Sequence, residues 1–262
     1  ILDIGIFGNF MESCGVEESQ SAILQEAYTN KYRQLTNVPV AIASALSAAI
    51  VPTLTASYQE RNVLDIKRKI HSSIKMNMII AIPAAVGMGV LGPQLIALLY
   101  KDNTILSGNL LRIGSVAIIF FAYSTMTNGI LQGIGKLRTP VIHAAVSLVI
   151  HIGLLYFMLY VLQLSVYAMV IGNVSFAFIV CILNWISIQS AVGYHQEIKT
   201  TFILPAVSAV IMGIVTAFSY KGVYYLSSSI LVSTIVAMLI AVGSYFVLLF
   251  LLHTLTKEEL LE

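Results

Sequence analysis

Lys31 and Arg33 stand just ahead of a long apolar run that opens at Asn37. Cations in that position either snorkel at a membrane interface or line a water-filled cavity. In a cavity the guanidinium of Arg33 suits a phosphate or pyrophosphate, because its planar fork matches two oxygens at once. Arg112 opens a later apolar run and reads as an interface cation that could also reach such a cavity. Asp3 lies inside an apolar segment, where a carboxylate is costly, so it is expected to pair with a cation or to couple to an ion. Its closeness to the first residue is the competing explanation. His143 and His151 are eight residues apart and share a helix face. That spacing allows a proton relay, although a hydrogen-bonded packing pair is the commoner outcome. Asn128, Gln132, Asn173 and Asn184 read as hydrogen-bonding glue between helices.

The elements that carry these residues follow from composition. Of 262 residues, 58% are hydrophobic and only 10% charged, where a soluble domain carries about 25% charged residues. The chain is therefore read as all-α and polytopic. Cys14 and Cys181 are far apart in apolar surroundings and read as small apolar fillers. The stretch Leu110–Pro140 sets the pattern: Ile113–Leu131 holds no charge, Gly133 and Gly135 free the backbone, Lys136 and Arg138 mark an aqueous edge, and Pro140 opens the next helix. Repeating that grammar predicts about eight spans. They are Ile1–Ser13, Asn37–Ser57, Met76–Tyr100, Leu110–Leu131, Val141–Leu162, Ser165–Ser190, Phe202–Tyr220 and Ser227–His253. The first opens inside an apolar segment without an initiator Met, as the cut end of a helix would. Cys14–Leu35 is expected as a polar connector, and Pro52 as a kink.

Tyr58–Lys75 is the most charged segment. Val63, Ile66, Ile70 and Ile74 recur at helical spacing, so it is expected to lie as an amphipathic helix on the membrane surface or to serve as a solvated connector. Alternating spans sort the fourteen basic residues into nine on one side and five on the other. The five are Lys31, Arg33, Lys101, Arg112 and Lys221. The positive-inside rule then puts both ends of the chain in the cytoplasm.

Several chemistries lack their signature. No phosphate-cradling loop followed by Lys-Ser/Thr is present, and no HExxH, nucleophile elbow or loop-borne carboxylate pair. The glycines of "GIGK" follow an apolar helix, which is the wrong setting for a dinucleotide fingerprint. No basic surface interleaved with aromatics suggests a nucleic acid. The reading is a non-enzyme without a cofactor.

The segment "LTNVPVAIASALSAAIVPTLTASYQERN", followed by its basic connector, resembles the polysaccharide-biosynthesis/stage V sporulation protein B family of lipid-linked-sugar flippases. "ILQGIGKLRTPVI" is a second point of resemblance. That family sits in the multidrug/oligosaccharidyl-lipid/polysaccharide exporter superfamily with the peptidoglycan-precursor flippases. The resemblance implies two six-helix lobes around a central cavity, with two additional helices in some members. Residues 1–190 would then be the second lobe with a truncated first helix, and residues 191–262 two extra helices and a short cytoplasmic tail. It implies alternating access, with a polyprenyl-pyrophosphate sugar carried across the cell membrane and an absent N-terminal lobe as intramolecular partner. Arg33, ahead of Pro39, is the nearest match to a cavity arginine of the peptidoglycan-precursor branch, with Lys31 beside it and Asp3 as a pairing or coupling group. The rival readings are a cation-coupled multidrug exporter, a membrane enzyme acting on polyprenyl-linked sugars and a non-transporting scaffold in cell-wall synthesis.

Overall fold

The computed structural model describes residues 2–252. Ile1, His253 and the tail carrying Lys257 lie outside them. Ten α-helices follow in order: α1 (Leu2–Ser13), α2 (Glu18–Glu26), α3 (Gln34–Gln59), α4 (Val63–Tyr100), α5 (Ile105–Gly114), α6 (Ala117–Gly133), α7 (Thr139–Tyr156), α8 (Val166–Val192), α9 (Leu204–Ser227) and α10 (Ile230–Leu251). Widened π-helical turns occupy Ala27–Arg33, Phe157–Val161 and Lys199–Ile203. No strand occurs among the described residues. Among the described residues six helical segments are long and apolar enough to cross a membrane, and α5 with α6, bent by 42° at their junction, makes a seventh if the pair is one span. The protein is all-α and polytopic. The expected first span is represented by α1, whose 12 residues fall short of a bilayer's depth.

Three expectations need correction. Cys14–Leu35 is no simple connector: α2 and the π-helical turn run straight into α3. Its Ser, Gln and Glu residues signal polarity but contain no helix breaker. The apolar run Leu110–Leu131 is interrupted near Ser115. There Gly114 approaches the buried ring of Tyr32 so closely that a Cβ would collide with it. The break carries no charge, so hydropathy alone cannot reveal it. Third, the amphipathic segment is not a separate helix. From Val63 onward it forms the first turns of α4, a single helix of 38 residues. Its stripe of Ile66, Ile70 and Ile74 is buried in the protein core with Leu54 and Ile130, leaving Leu64 outward. An isoleucine stripe satisfies its hydrophobic demand equally against lipid or protein, and here protein takes it.

α4 is the hub, packing against α3, α5, α6, α9 and α10, while α7 packs on α8 and α9 on α10. Pro83 and Pro93 lie inside α4. Pro83 cannot donate to the Ile79 carbonyl one turn back, and Tyr245 of α10 donates its hydroxyl there instead at 2.9 Å. Pro93 is pressed against α5 at Gly108, where a Cβ would come within 3.0 Å of the proline ring. At the basic end, Tyr194 bonds His71 at 3.4 Å and Glu197 stands 3.5 Å from the same imidazole, tying the α8–α9 connection to α4. Burial, with the Glu197 charge adding to it, pushes the Tyr194 phenol up to about 12.

Candidate functional site

The π-helical turn Ala27–Arg33 presents Lys31, Tyr32 and Arg33 from one place. Its ring of Tyr28 stacks at a tilt on Tyr32, centroids 5.5 Å apart, and both side chains are fully buried. Tyr32 donates its hydroxyl to the Gly114 carbonyl at 3.3 Å and accepts from the Asn173 amide at 3.2 Å. The turn is thereby pinned to α5 and α8.

The two cations of the turn meet different surroundings. Lys31 Nζ sits 2.8 Å from Asp102 Oδ2 and 3.4 Å from Glu26 Oε1. Asp102 also accepts from the Ser107 hydroxyl at 2.6 Å and the Thr104 backbone N–H at 2.8 Å. Burial would raise the Asp102 carboxyl, but these hydrogen bonds, led by that from Lys31, hold it well below the usual carboxylate range. Arg33 is only half-buried. Its guanidinium carbon lies 6.0 Å from the centre of the Tyr28 ring, a cation–π contact. Among the described residues it makes no ion pair. The charge of Lys31 is therefore compensated locally, whereas that of Arg33 is open to a further anion.

Asp3 is not paired with either cation. Its Oδ1 stands 2.8 Å from Nε2 of His151, whose Nδ1 lies 2.9 Å from the Gly172 carbonyl. Gly172 permits this: a Cβ there would come within 2.9 Å of the imidazole. A carbonyl can only accept, so Nδ1 must carry a proton. Nε2 then faces a carboxylate, and that contact also needs a proton, held either by the imidazole or by the carboxyl. The pair thus stores one proton beyond a neutral imidazole and an ionised aspartate. Arg33 lies within electrostatic range of Asp3, so the open cation and the proton-bearing pair belong to one electrostatic neighbourhood.

His143 is engaged elsewhere. Its Nδ1 meets Asn184 Oδ1 at 2.7 Å, and the Ser187 hydroxyl lies 3.2 Å from Nε2. Asn184 in turn donates to Thr127 and Asn128 of α6 at 2.9 and 2.8 Å. Both histidines therefore fasten α7 to α8 through separate partners, and Asn128, Asn173 and Asn184 act as interhelical hydrogen-bonding groups. Sequence reasoning missed Asp102, His151 as the partner of Asp3, and Tyr32. Pairings across 71 and 148 positions leave no local spacing to find. Among the described residues no cluster of three or more histidines, cysteines and carboxylates is placed to hold a metal ion.

Comparison with known proteins adds two findings. The MatE family model matches residues 32–157, which include Arg33, His143 and His151. The chain is also 26% identical over 216 residues to the lipid II flippase MurJ of Bacillus subtilis (strain 168). That alignment covers 79% of this chain and 39% of the relative, so the chain spans about two fifths of the relative's length. Neither match is to an enzyme. Together with the apolar helices, these likenesses support a multi-pass membrane protein.

Proposed function

We propose that this chain is the second lobe, with two additional helices, of a flippase that carries a polyprenyl-pyrophosphate sugar across the cell membrane by alternating access. The lobe spans residues 1–190 and the additional helices residues 191–262. The observation that carries the reading is Arg33: a half-buried guanidinium without an ion pair among the described residues, held against Tyr28 on a turn that is itself pinned by Tyr32. Such a group is ready to take a pyrophosphate without first breaking a bond to protein. Lys31, bound to Asp102, sets the turn in place. Asp3, with His151, is the coupling group, since the proton it shares is a charge that can be exchanged between states. The similarity to a lipid II flippase favours a lipid-linked sugar over a drug. In this reading the end bearing Arg61, Lys67, Arg68, Lys136 and Arg138 faces the cytoplasm, membrane lipids surround the helices, and a preceding lobe completes the cavity.

The test is transport of a fluorescent polyprenyl-pyrophosphate sugar by the full-length protein in proteoliposomes. Arg33→Ala is expected to lower the initial rate at least about tenfold, the scale of one lost charge-assisted contact, with Arg33→Lys intermediate. Wild-type rates in Arg33→Ala would remove Arg33 from the mechanism. Wild-type export of cationic dyes by a protein that does not move the sugar lipid would replace the reading with a drug exporter.

A further inference from the structure

At the opposite end from the basic loops, a crevice of 360 Å³ opens between α4, α5 and the α9–α10 hairpin. Its walls include Gln94, Asp102, Asn109, Arg112, Tyr220 and Ile230. Two features distinguish it from a packing gap. Arg112 is exposed on this wall and makes no ion pair among the described residues. The Asp102 carboxylate does not cancel it, being occupied by Lys31, Ser107 and Thr104.

These demands specify a ligand. The guanidinium asks for a phosphate, and Pro93, Ile105 and Ile230 supply apolar wall. The crevice lies beside the ends of membrane-crossing helices, at the level of the α4–α5 and α9–α10 connections. We propose that it binds the headgroup of an anionic membrane phospholipid through its phosphodiester. Phosphatidylglycerol, with a net negative charge, answers an uncompensated cation; phosphatidylcholine carries its own cation beside the phosphate. The volume suits a headgroup, with the acyl chains left outside in lipid. Because α5, α9 and α10 all border the crevice, the lipid would brace the hairpin against the α4–α5 corner. This inference does not depend on Arg33 or on the transported molecule.

The experiment is native mass spectrometry of the full-length protein in mild detergent, with phosphatidylglycerol, phosphatidylcholine or soluble glycerol phosphate added. Wild type is expected to retain phosphatidylglycerol in preference to phosphatidylcholine. Arg112→Ala should reduce that retention about tenfold, with Arg112→Lys between the two. Arg33→Ala should change none of this, which separates the crevice from the pyrophosphate site. Equal retention by wild type and Arg112→Ala would overturn the proposal. Displacement of the lipid by glycerol phosphate at similar concentration would overturn its lipid assignment, leaving a site for a soluble phosphate ester.

Discussion

The carboxylate of Asp3 and Nε2 of His151 meet at 2.8 Å across 148 positions of sequence, joining α1 to α7. The Gly172 carbonyl fixes the other face of the imidazole, so the contact contains a proton that neither partner can lose without weakening it. Asp3→Asn and His151→Gln are each expected to flatten the pH dependence of transport in the full-length protein. Each should also destabilise it by about 1–3 kcal/mol, the scale of a buried polar partner left unpaired. Rates measured across pH in proteoliposomes, with thermal melting alongside, check both. A pH profile unchanged in both variants would leave the pair a purely structural tie.

Lys31 and Asp102 should behave as a coupled pair. A double-mutant cycle with Lys31→Met and Asp102→Asn is expected to return a coupling energy of about 0.5–3 kcal/mol by denaturation. The pH behaviour has a definite sign. The Asp102 carboxyl is held low in the folded chain, so its stabilisation is fully present above the ordinary carboxylate range, about pH 4. It is lost as the pH falls from there toward the folded value, because the unfolded chain takes up a proton first. Asp102→Asn should remove that part of the acid slope, and a melting series from pH 6 downward will show it.

Gly114 should not tolerate a side chain. A Cβ there runs into the Tyr32 ring, and both neighbours are buried, so Gly114→Ala is expected to cost about 1–3 kcal/mol through overpacking. Gly153→Ala is the control, since nothing lies within 4 Å of its added Cβ; that variant should melt at or slightly above wild type. Displacement of Tyr32 should also loosen the turn bearing Arg33, so Gly114→Ala is expected to slow transport beyond its effect on stability.

Tyr245→Phe deletes the donor that serves the Ile79 carbonyl freed by Pro83. The expected loss is about 1–3 kcal/mol. Restoring a backbone N–H with Pro83→Ala in the same protein should recover most of it, and melting of the four variants provides the comparison.

The architecture was legible where the chain punctuates itself. Gly133, Gly135, Lys136, Arg138 and Pro140 mark the end of one helix and the start of the next, and the structure turns there, with Gly135 at φ +78°. It was not legible where two environments impose the same pattern. The isoleucines of the α4 amphipathic turns would look identical facing lipid, and the break at Ser115 lies in an uncharged run. For the site, Lys31, Arg33 and Asp3 were conspicuous because charge is rare in an apolar chain. Their partners were hidden, because Asp102 and His151 come from distant elements and only the folded packing of α1, α5, α7 and α8 brings them within reach.

The mechanical character of α4 follows from its two prolines. A helix of 38 residues runs about 57 Å at 1.5 Å per residue, well beyond the hydrocarbon thickness of about 30 Å. Its basic turns before Pro83 keep an unbroken hydrogen-bond ladder, whereas beyond that point the ladder lacks a rung at each proline. Bending stiffness is therefore unequal along one continuous rod: a rigid shaft at the basic end and a compliant tip beside α5. Bending of the rod is easiest at Pro83 and Pro93, next to the junction where α5 and α6 already meet at 42°.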